Sequence, residues 1–595
     1  MAQQVKATIE LESGKKLTKY QSLVIEQYLF LHHKFEIVVP FEMLEQADES
    51  FFNKSHKDVC GKFLTISFEP VLTKGSFNFS YKGIITEIFL SNQGDMANVF
   101  IIRGHCPGVI LEDCRLRRTF LNKSVQQIFD AVLSPYAGNV IKKQLKPRST
   151  KPIKYSVQYD ETNFEFLSRI ASEYNEWFYY DGKEFLLGEP TAAKEVDFVI
   201  DGKQTFDMSI SLMPAKFSLS AYDYTKNQSY TGKSVSQQVD GLSQYGKFAL
   251  DESESTFSQE AVLVSEKPVY SQNDLDELIK FKRSGLASNL IVFHGRGENP
   301  DISISTVINV SGSKPQKGGR SGTESFGKYR ITEINHILDG SGNYSNTFKA
   351  VPETVKIPPT NSFVRHPVGQ TELAKVSDNN DPDKLGRVKV IFNWAGSDNE
   401  SDWIRVGTFY AGGGDDKGMQ FIPEKEAQVV ISYELNRPEN PFVITSLYPK
   451  KDGIRALVGT NDQKLIYTKA GNTIELIDKK GENTIQITNA NNTDTSILLE
   501  FKDPGQITIK TNGKINIQAQ DNISISTQKD LSISAQNVDI EAQQNLTLKG
   551  SSQTNVEGSQ ISVKADSQLS VDGGGQATVK ASGPLTLKGA MVQIN

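Results

Sequence analysis

From Gln506 to Asn595 apolar residues come in pairs spaced i, i+2, and the pairs recur at a nearly fixed step. They stand at Ile507/Ile509, Ile515/Ile517, Ile523/Ile525, Leu531/Ile533, Val538/Ile540 and Leu546/Leu548. They continue at Ile561/Val563, Leu569/Val571, Ala577/Val579, Leu585/Leu587 and Val592/Ile594. The step is eight residues with occasional sevens, and one unit near residue 553 is degenerate. Two side chains point one way, their neighbours point the other, and about four polar residues turn a corner. A strand with two inward side chains has too little apolar surface to stand alone. Such units must therefore stack around an apolar axis. Either one chain winds into a solenoid, or three chains wind together into a prism with few free edges. The repeat alone leaves both builds open. In the three-chain build, strands stacked at about 4.8 Å give a rod on the order of 50 Å long.

The rest of the chain has other periods. In "NKSVQQIFDAVLSPY", Ser124 and Gln127 form a capping-box pattern, and Val125, Ile128, Phe129, Val132 and Leu133 share one helical face. In "ETNFEFLSRIASEYNEW", Thr162 and Glu165 repeat the box, with Phe164, Leu167, Ile170, Ala171 and Tyr174 expected inward. A third helix is expected to start near Ser271. Alternating runs such as FEIVV and FLTISF lie among these helices, so the first 360 residues read as strand-rich with a few helices. Residues 371–448 hold five strand-like runs: TELAKVS, RVKVIFNW, DWIRVGTFY, AQVVISYEL and PFVITSLY. Turn-rich Gly, Asn, Asp and Pro segments separate them. Five short strands so punctuated fit a small closed barrel, of which the OB-fold is the usual example.

Composition narrows the function. The 595 residues exceed one core, so several domains are expected. Net charge is −6, which gives no global pull toward nucleic acid or an anionic membrane. Apolar runs are far too short for a bilayer-spanning helix, and the N-terminal MAQQVKATIELESGKK has no apolar core of a signal peptide. Three cysteines, Cys60, Cys106 and Cys114, suit a reducing compartment better than a disulfide framework. After Phe501 there is no Phe, Tyr, Trp, His or Cys. That argues against a sugar-stacking solenoid.

Candidate chemistry is thin. "DNNDPDKLG" resembles a calcium loop until its positions are counted from Asp378. Position five is then Pro382 and position twelve is Lys389, where a bidentate Glu is needed, so it reads as a turn. His105, Cys106 and Cys114 lack zinc-knuckle spacing, and buried structural thiols are expected instead. "HGRGENPD", from His294 to Asp301, is expected to be a surface turn. The loops of the five-stranded barrel are acidic or neutral, which disfavours an oligonucleotide groove. About 25 residues separate the barrel near Tyr448 from the strands resuming by Ile474, too few for an inserted enzyme. No toxin domain is read after the repeat. No catalytic residue, metal or cofactor is expected.

The segment from Val368 to Gly414 resembles the OB region of VgrG spike proteins of type VI secretion and related contractile injection systems. The shared pattern is carried by Asp381, Pro382, Gly386, Arg387, Val388, Trp394, Trp403, Ile404, Arg405, Val406, Phe421 and Pro423. "NRPENPFVITSLY" resembles the closing strand, and "AGNTIELIDKKGENTIQI" the lead-in to a needle. Gln158 to Tyr180 resembles a hub signature, except that Asn175-Glu176 stands where a Gly usually follows the helix. The resemblance implies a mainly β protein in four parts: a phage-tail-hub-like domain over 1–360 with β-barrels and helical insertions, an OB-fold collar over 361–450, a neck over 451–505, and an intertwined triple-stranded β-helix needle over 506–595. It tips the choice of build toward three chains.

The resemblance also implies a homotrimer whose hub meets a hexameric inner tube. Baseplate proteins, effector cargo and a PAAR-like tip protein would be its other partners. Nucleic acid would not be one, and a target membrane would be met only by mechanical puncture. The protein would assemble in the cytoplasm and leave on contraction without a signal peptide. Met591, Val592, Gln593, Ile594 and Asn595 are the candidate tip contacts. The alternatives are the hub-spike of a phage-tail-like or extracellular injection particle, or a single-chain solenoid adhesin or glycan-active enzyme.

Overall fold

The computed structural model describes residues 3–45, 54–71, 77–92, 98–190, 194–315, 321–413, 417–449 and 461–594. The chain divides into two units, Met1–Arg455 and Ala456–Asn595. Part of the Gly-rich loop (414–416), the last residue of the expected collar (450), residues 451–460 of the expected neck, and Asn595 lie outside the described residues.

Two long strands organise the first unit. Ser321–Asp339 and Asn343–Pro352 pair antiparallel and serve two sheets at once. At one end they close a ring with Ser22–Tyr28, Lys34–Pro40, Val99–His105, Ser80–Ser91, Phe63–Pro70 and Gln3–Leu11. The pairs Gln3↔Tyr344 and Gln4↔Asn343 complete this antiparallel eight-stranded barrel. Alternation does the rest: Val5, Ala7, Ile9 and Leu11 point in, as do Leu23, Ile25, Leu64 and Ile66. At the other end the same two strands carry Val307–Pro315, Glu195–Ile200, Ile291–Gly297 and Thr205–Ile210. A turn at 201–204 joins Glu195–Ile200 to Thr205–Ile210, yet no ladder joins these two among the described residues. The second barrel is thus six-stranded and open along one seam.

The expected helices form. Val125–Leu133 starts with the Ser124/Gln127 box, buries the five residues named for it, and packs on the eight-stranded barrel. Asn163–Glu173 starts with the Thr162/Glu165 box, and Gln272–Ala287 is capped by Ser271. A further helix, Gln244–Thr256, was not expected. Its buried face is only Gly246, Ala249, Leu250 and Ser253, so its apolar period is weak. HGRG is not a turn: it is the end of strand Ile291–Gly297, paired on both edges. Of the thiols read as buried, Cys106 is buried and Cys114 is exposed.

The five strand-like runs give one five-stranded sheet. Glu372–Asp378 lies between Lys389–Phe392 and Gln428–Tyr433, and Pro441–Leu447 follows with Arg405–Val406 beyond it. Reciprocal Val388–Ile404 backbone bonds close the ends into a barrel. DWIRVGTFY supplies less strand than its pattern promised, namely this bridge and Arg405–Val406.

In the second unit, Gln463–Tyr467, Asn472–Ile477, Thr484–Asn489, Asn492–Glu500 and Gln506–Lys510 form an antiparallel meander. Ile507 and Ile509, the first expected octad pair, therefore belong to the meander. From 511 to 594 the backbone bends at intervals, without a strand ladder among the described residues.

Candidate assembly surfaces

Most of the signature residues shape the OB barrel itself, and Trp394 and Arg405 meet the hub through Tyr159 and Tyr224. Asp381 is buried, and its carboxylate gathers the turn. Oδ2 accepts from the Leu385 and Arg387 backbone N–H groups, and Oδ1 from that of Asp383. The Arg387 guanidinium binds both oxygens, with Nη2 donating to Oδ1 at 2.7 Å and Nε to Oδ2 at 3.0 Å. This fork holds the Asp381 carboxyl at about 2 and raises Arg387. The carboxylate is thereby fully engaged in shaping the loop. Pro382 sits exposed at the turn, and Gly386 adopts φ +70°, which favours glycine. Val388 is buried in the barrel closure.

Glu372 is the second node. It accepts from Trp394 Nε1 at 2.6 Å, from Tyr159 Oη at 3.2 Å and from the Tyr433 hydroxyl. Arg117 stands 3.7 Å away. Burial first, then the Glu372 charge, raises the Tyr433 phenol far above its ordinary range. Trp394 stacks on Phe392 and meets Tyr159 edge-on, and Lys389 lies over the Trp403 ring. Arg405 pairs with Glu434 and covers Tyr224 of the hub.

Arg169 is the third node, and sequence reasoning missed it. Its side chain is fully buried and donates to both Glu161 oxygens at 2.7 and 2.8 Å. It also donates to Glu173 at 3.0 Å, to the Val157 carbonyl at 2.6 Å, and to Glu439 of the OB barrel at 2.8 Å. Lys267 and His366 approach Glu173 from other segments, and Arg437 pairs with Glu266. Burial pushes the Glu173 carboxyl up, but Arg169, His366 and Lys267 outweigh it and hold it below the usual range. The readable signal was an Arg on an apolar helical face with Glu at −8 and +4.

The departure in the hub signature has a local explanation. Asn175 takes φ +55°, the left-handed conformation that ends the helix. Asn is the residue after Gly that most readily adopts it. The next residue, Glu176, turns inward and accepts from the Ser149 backbone.

The tail is a surface of another kind. In the units between 511 and 594 the first large apolar side chain is 52–60% exposed and the second 63–85%. Met591, Val592 and Ile594 are exposed, and Gln593 is exposed beside them. Among the described residues no group of three or more His, Cys, Asp or Glu could hold a metal ion. No helix among them is long and apolar enough to cross a membrane.

Residues 55–337 match the phage tail baseplate hub family, and residues 372–448 match the type VI secretion system/phage-baseplate injector OB domain. The hub match thus precedes the injector-barrel match along the chain. The chain is similar to the VgrG-type spike proteins of type VI secretion systems. Among its relatives, the type VI secretion system spike protein VgrG5 of Pseudomonas aeruginosa is 25% identical over 419 residues, 62% of this chain and 51% of the relative. VgrG1a of the same organism is 22% identical over 487 residues, 74% of this chain and 72% of the relative. The chain thus spans about half the length of the first of these. A Francisella PdpA–VgrG complex, lidded, matches in fold with TM-score 0.55 at 12% identity, over 86% of this chain and 80% of that one. The lidless form matches with TM-score 0.52 at 10% identity, over 86% and 99%.

Proposed function

We propose that this chain is the non-enzymatic spike of a contractile injection machine, working as a homotrimer. The observation that carries the reading is the tail: its apolar pairs stay exposed and its backbone makes no ladder of its own between 511 and 594. Three copies wound together would cover those pairs and join the ladders. The hub would seat on a hexameric inner tube and baseplate proteins, and the OB barrel would form a collar. The needle would perforate a target envelope when a sheath contracts. Effectors would travel as attached cargo. A tip protein would dock at Met591 to Asn595. The protein would assemble in the cytoplasm and leave on contraction. Thrust comes from outside, so no residue performs chemistry.

Light scattering of the purified full chain tests this. A trimer of elongated particles by negative stain is expected. Ile525→Asp with Ile533→Asp is expected to yield monomers whose 1–455 unit still melts cooperatively. A native monomer at high concentration would overturn the reading and favour a single-chain solenoid.

A further inference from the structure

The degenerate unit of the repeat is occupied by Thr554 and Val556. With it restored, the first positions of the tail read Ile515, Ile523, Leu531, Val538, Leu546, Thr554, Ile561, Leu569, Ala577, Leu585 and Val592. All are large aliphatics except Thr554, which brings a hydroxyl, and Ala577, which is undersized. The second positions contain no such exception: Ile, Leu or Val stands at each from Ile517 to Ile594. The steps are also unequal, with sevens at 531→538, 554→561 and 585→592. Only a strand with the same order of eights and sevens stays level with this one along its length. The partner that fits is therefore a second and a third copy of the same chain.

Near-identical units create a problem of register. A chain displaced by one octad would still place almost every apolar pair against another apolar pair, one residue out of level only where a step of seven meets a step of eight, so bulk apolar matching opposes the slip weakly. A polar residue at one core position of a coiled assembly specifies register because its hydroxyl or amide is satisfied only opposite its own copy.

We infer that Thr554 and Ala577 set the register of the three-chain needle, an inference that rests on the trimeric reading above. In register, three Thr554 hydroxyls meet in one layer, each donating to the next and accepting from the one before. Three Ala577 methyls form one narrow layer. After a slip of one octad, a Thr554 hydroxyl faces Leu546 or Ile561 of its neighbours, and Leu569 or Leu585 is set against Ala577. The hydroxyl then lacks its ring of partners, and the layers mismatch in volume.

Double electron–electron resonance on the full chain tests this. A nitroxide is attached at Ser570→Cys, an outward position between Leu569 and Val571, in a background with Cys60→Ser and Cys114→Ser. The native needle should give one narrow distance. T554V together with A577L should give at least two, because a one-octad slip carries a label about 5 Å along the axis and round the corner to the next face, which changes its distances to both other labels. T578V, on the opposite face of the strand, should leave the single distance unchanged. T554V alone, isosteric with Thr, carries the test if the larger change at 577 prevents assembly, and it too should add a second distance. A single narrow distance in T554V and in the double variant would overturn the register assignment while leaving the trimer intact. A native protein that scatters as a monomer would remove the trimer first, and the assignment with it.

Discussion

At the scale of single residues, the first unit depends on charges and histidines held away from water. Arg169, itself fully buried, pairs with Glu161, Glu173 and Glu439, and Lys267 and His366 share the charge of Glu173. Removing one member of a buried ionic cluster leaves the others uncompensated, at a cost of about 3–5 kcal/mol. Arg169→Ala is therefore expected to lower the denaturant midpoint of the full chain by that order, and Glu439→Gln by less. Three histidines fix the pH profile. Burial holds His33 and His336 at about 3, against 6.5 when unfolded. Their contribution is whole above about pH 6.5 and is lost as pH falls from there toward 3, at up to about 1.4 kcal/mol per pH unit for each. His32 works in the opposite sense. Burial would push it down, but Cys106 and Glu112 hold it at about 9, so its stabilisation is whole below 6.5 and is lost as pH rises through 9. A melting temperature highest near pH 6.5 is expected. His336→Gln should reduce its acid slope by about half, as followed by circular dichroism between pH 4.5 and 6.5.

At the scale of elements, local signals were reliable where they act through neighbouring backbone. Ser124 with Gln127, Thr162 with Glu165, and Ser271 marked three helix starts because a capping side chain needs only the N–H groups of the next turn. Gln244–Thr256 escaped because its buried face holds Leu250 among the small residues Gly246, Ala249 and Ser253, which leave little periodicity. The helix end at Asn175 yields a sharp test. Asn175→Gly should be neutral or slightly stabilising, since glycine takes φ +55° without strain. Asn175→Val should destabilise by about 1–2 kcal/mol, because a β-branched side chain clashes there. Thermal unfolding of the two variants side by side distinguishes them. Elements built from distant strands were less legible: DWIRVGTFY reads as a full strand, yet barrel closure uses only Ile404 and the pair after it.

At the scale of the whole molecule, the parts answer to different forces. The hub and OB barrel bury their own cores and carry polar joints at Asp381, Glu372 and Arg169. Glu372→Ala is expected to leave Trp394 and two tyrosines without their common acceptor and to lower the first unit's melting temperature, with the tail's assembly unaffected. Calorimetry of full-length protein should resolve that as a shift in one transition only. The tail instead exposes what it would bury, so its stability should depend on protein concentration, as it must for any assembly of chains. The sequence by itself determined the octad, the helix caps and the five barrel runs, since each is written in spacing over a few neighbouring residues. Only the tertiary structure decided that Ser321–Asp339 and Asn343–Pro352 are shared by two barrels, and that Arg169 bridges helix and collar. It also decided that Ile507 and Ile509 belong to a meander. The first two depend on which distant segments meet, and that is set by the closure of whole sheets rather than by any local pattern; the third is a pairing of neighbouring strands whose alternation looks the same as an octad pair.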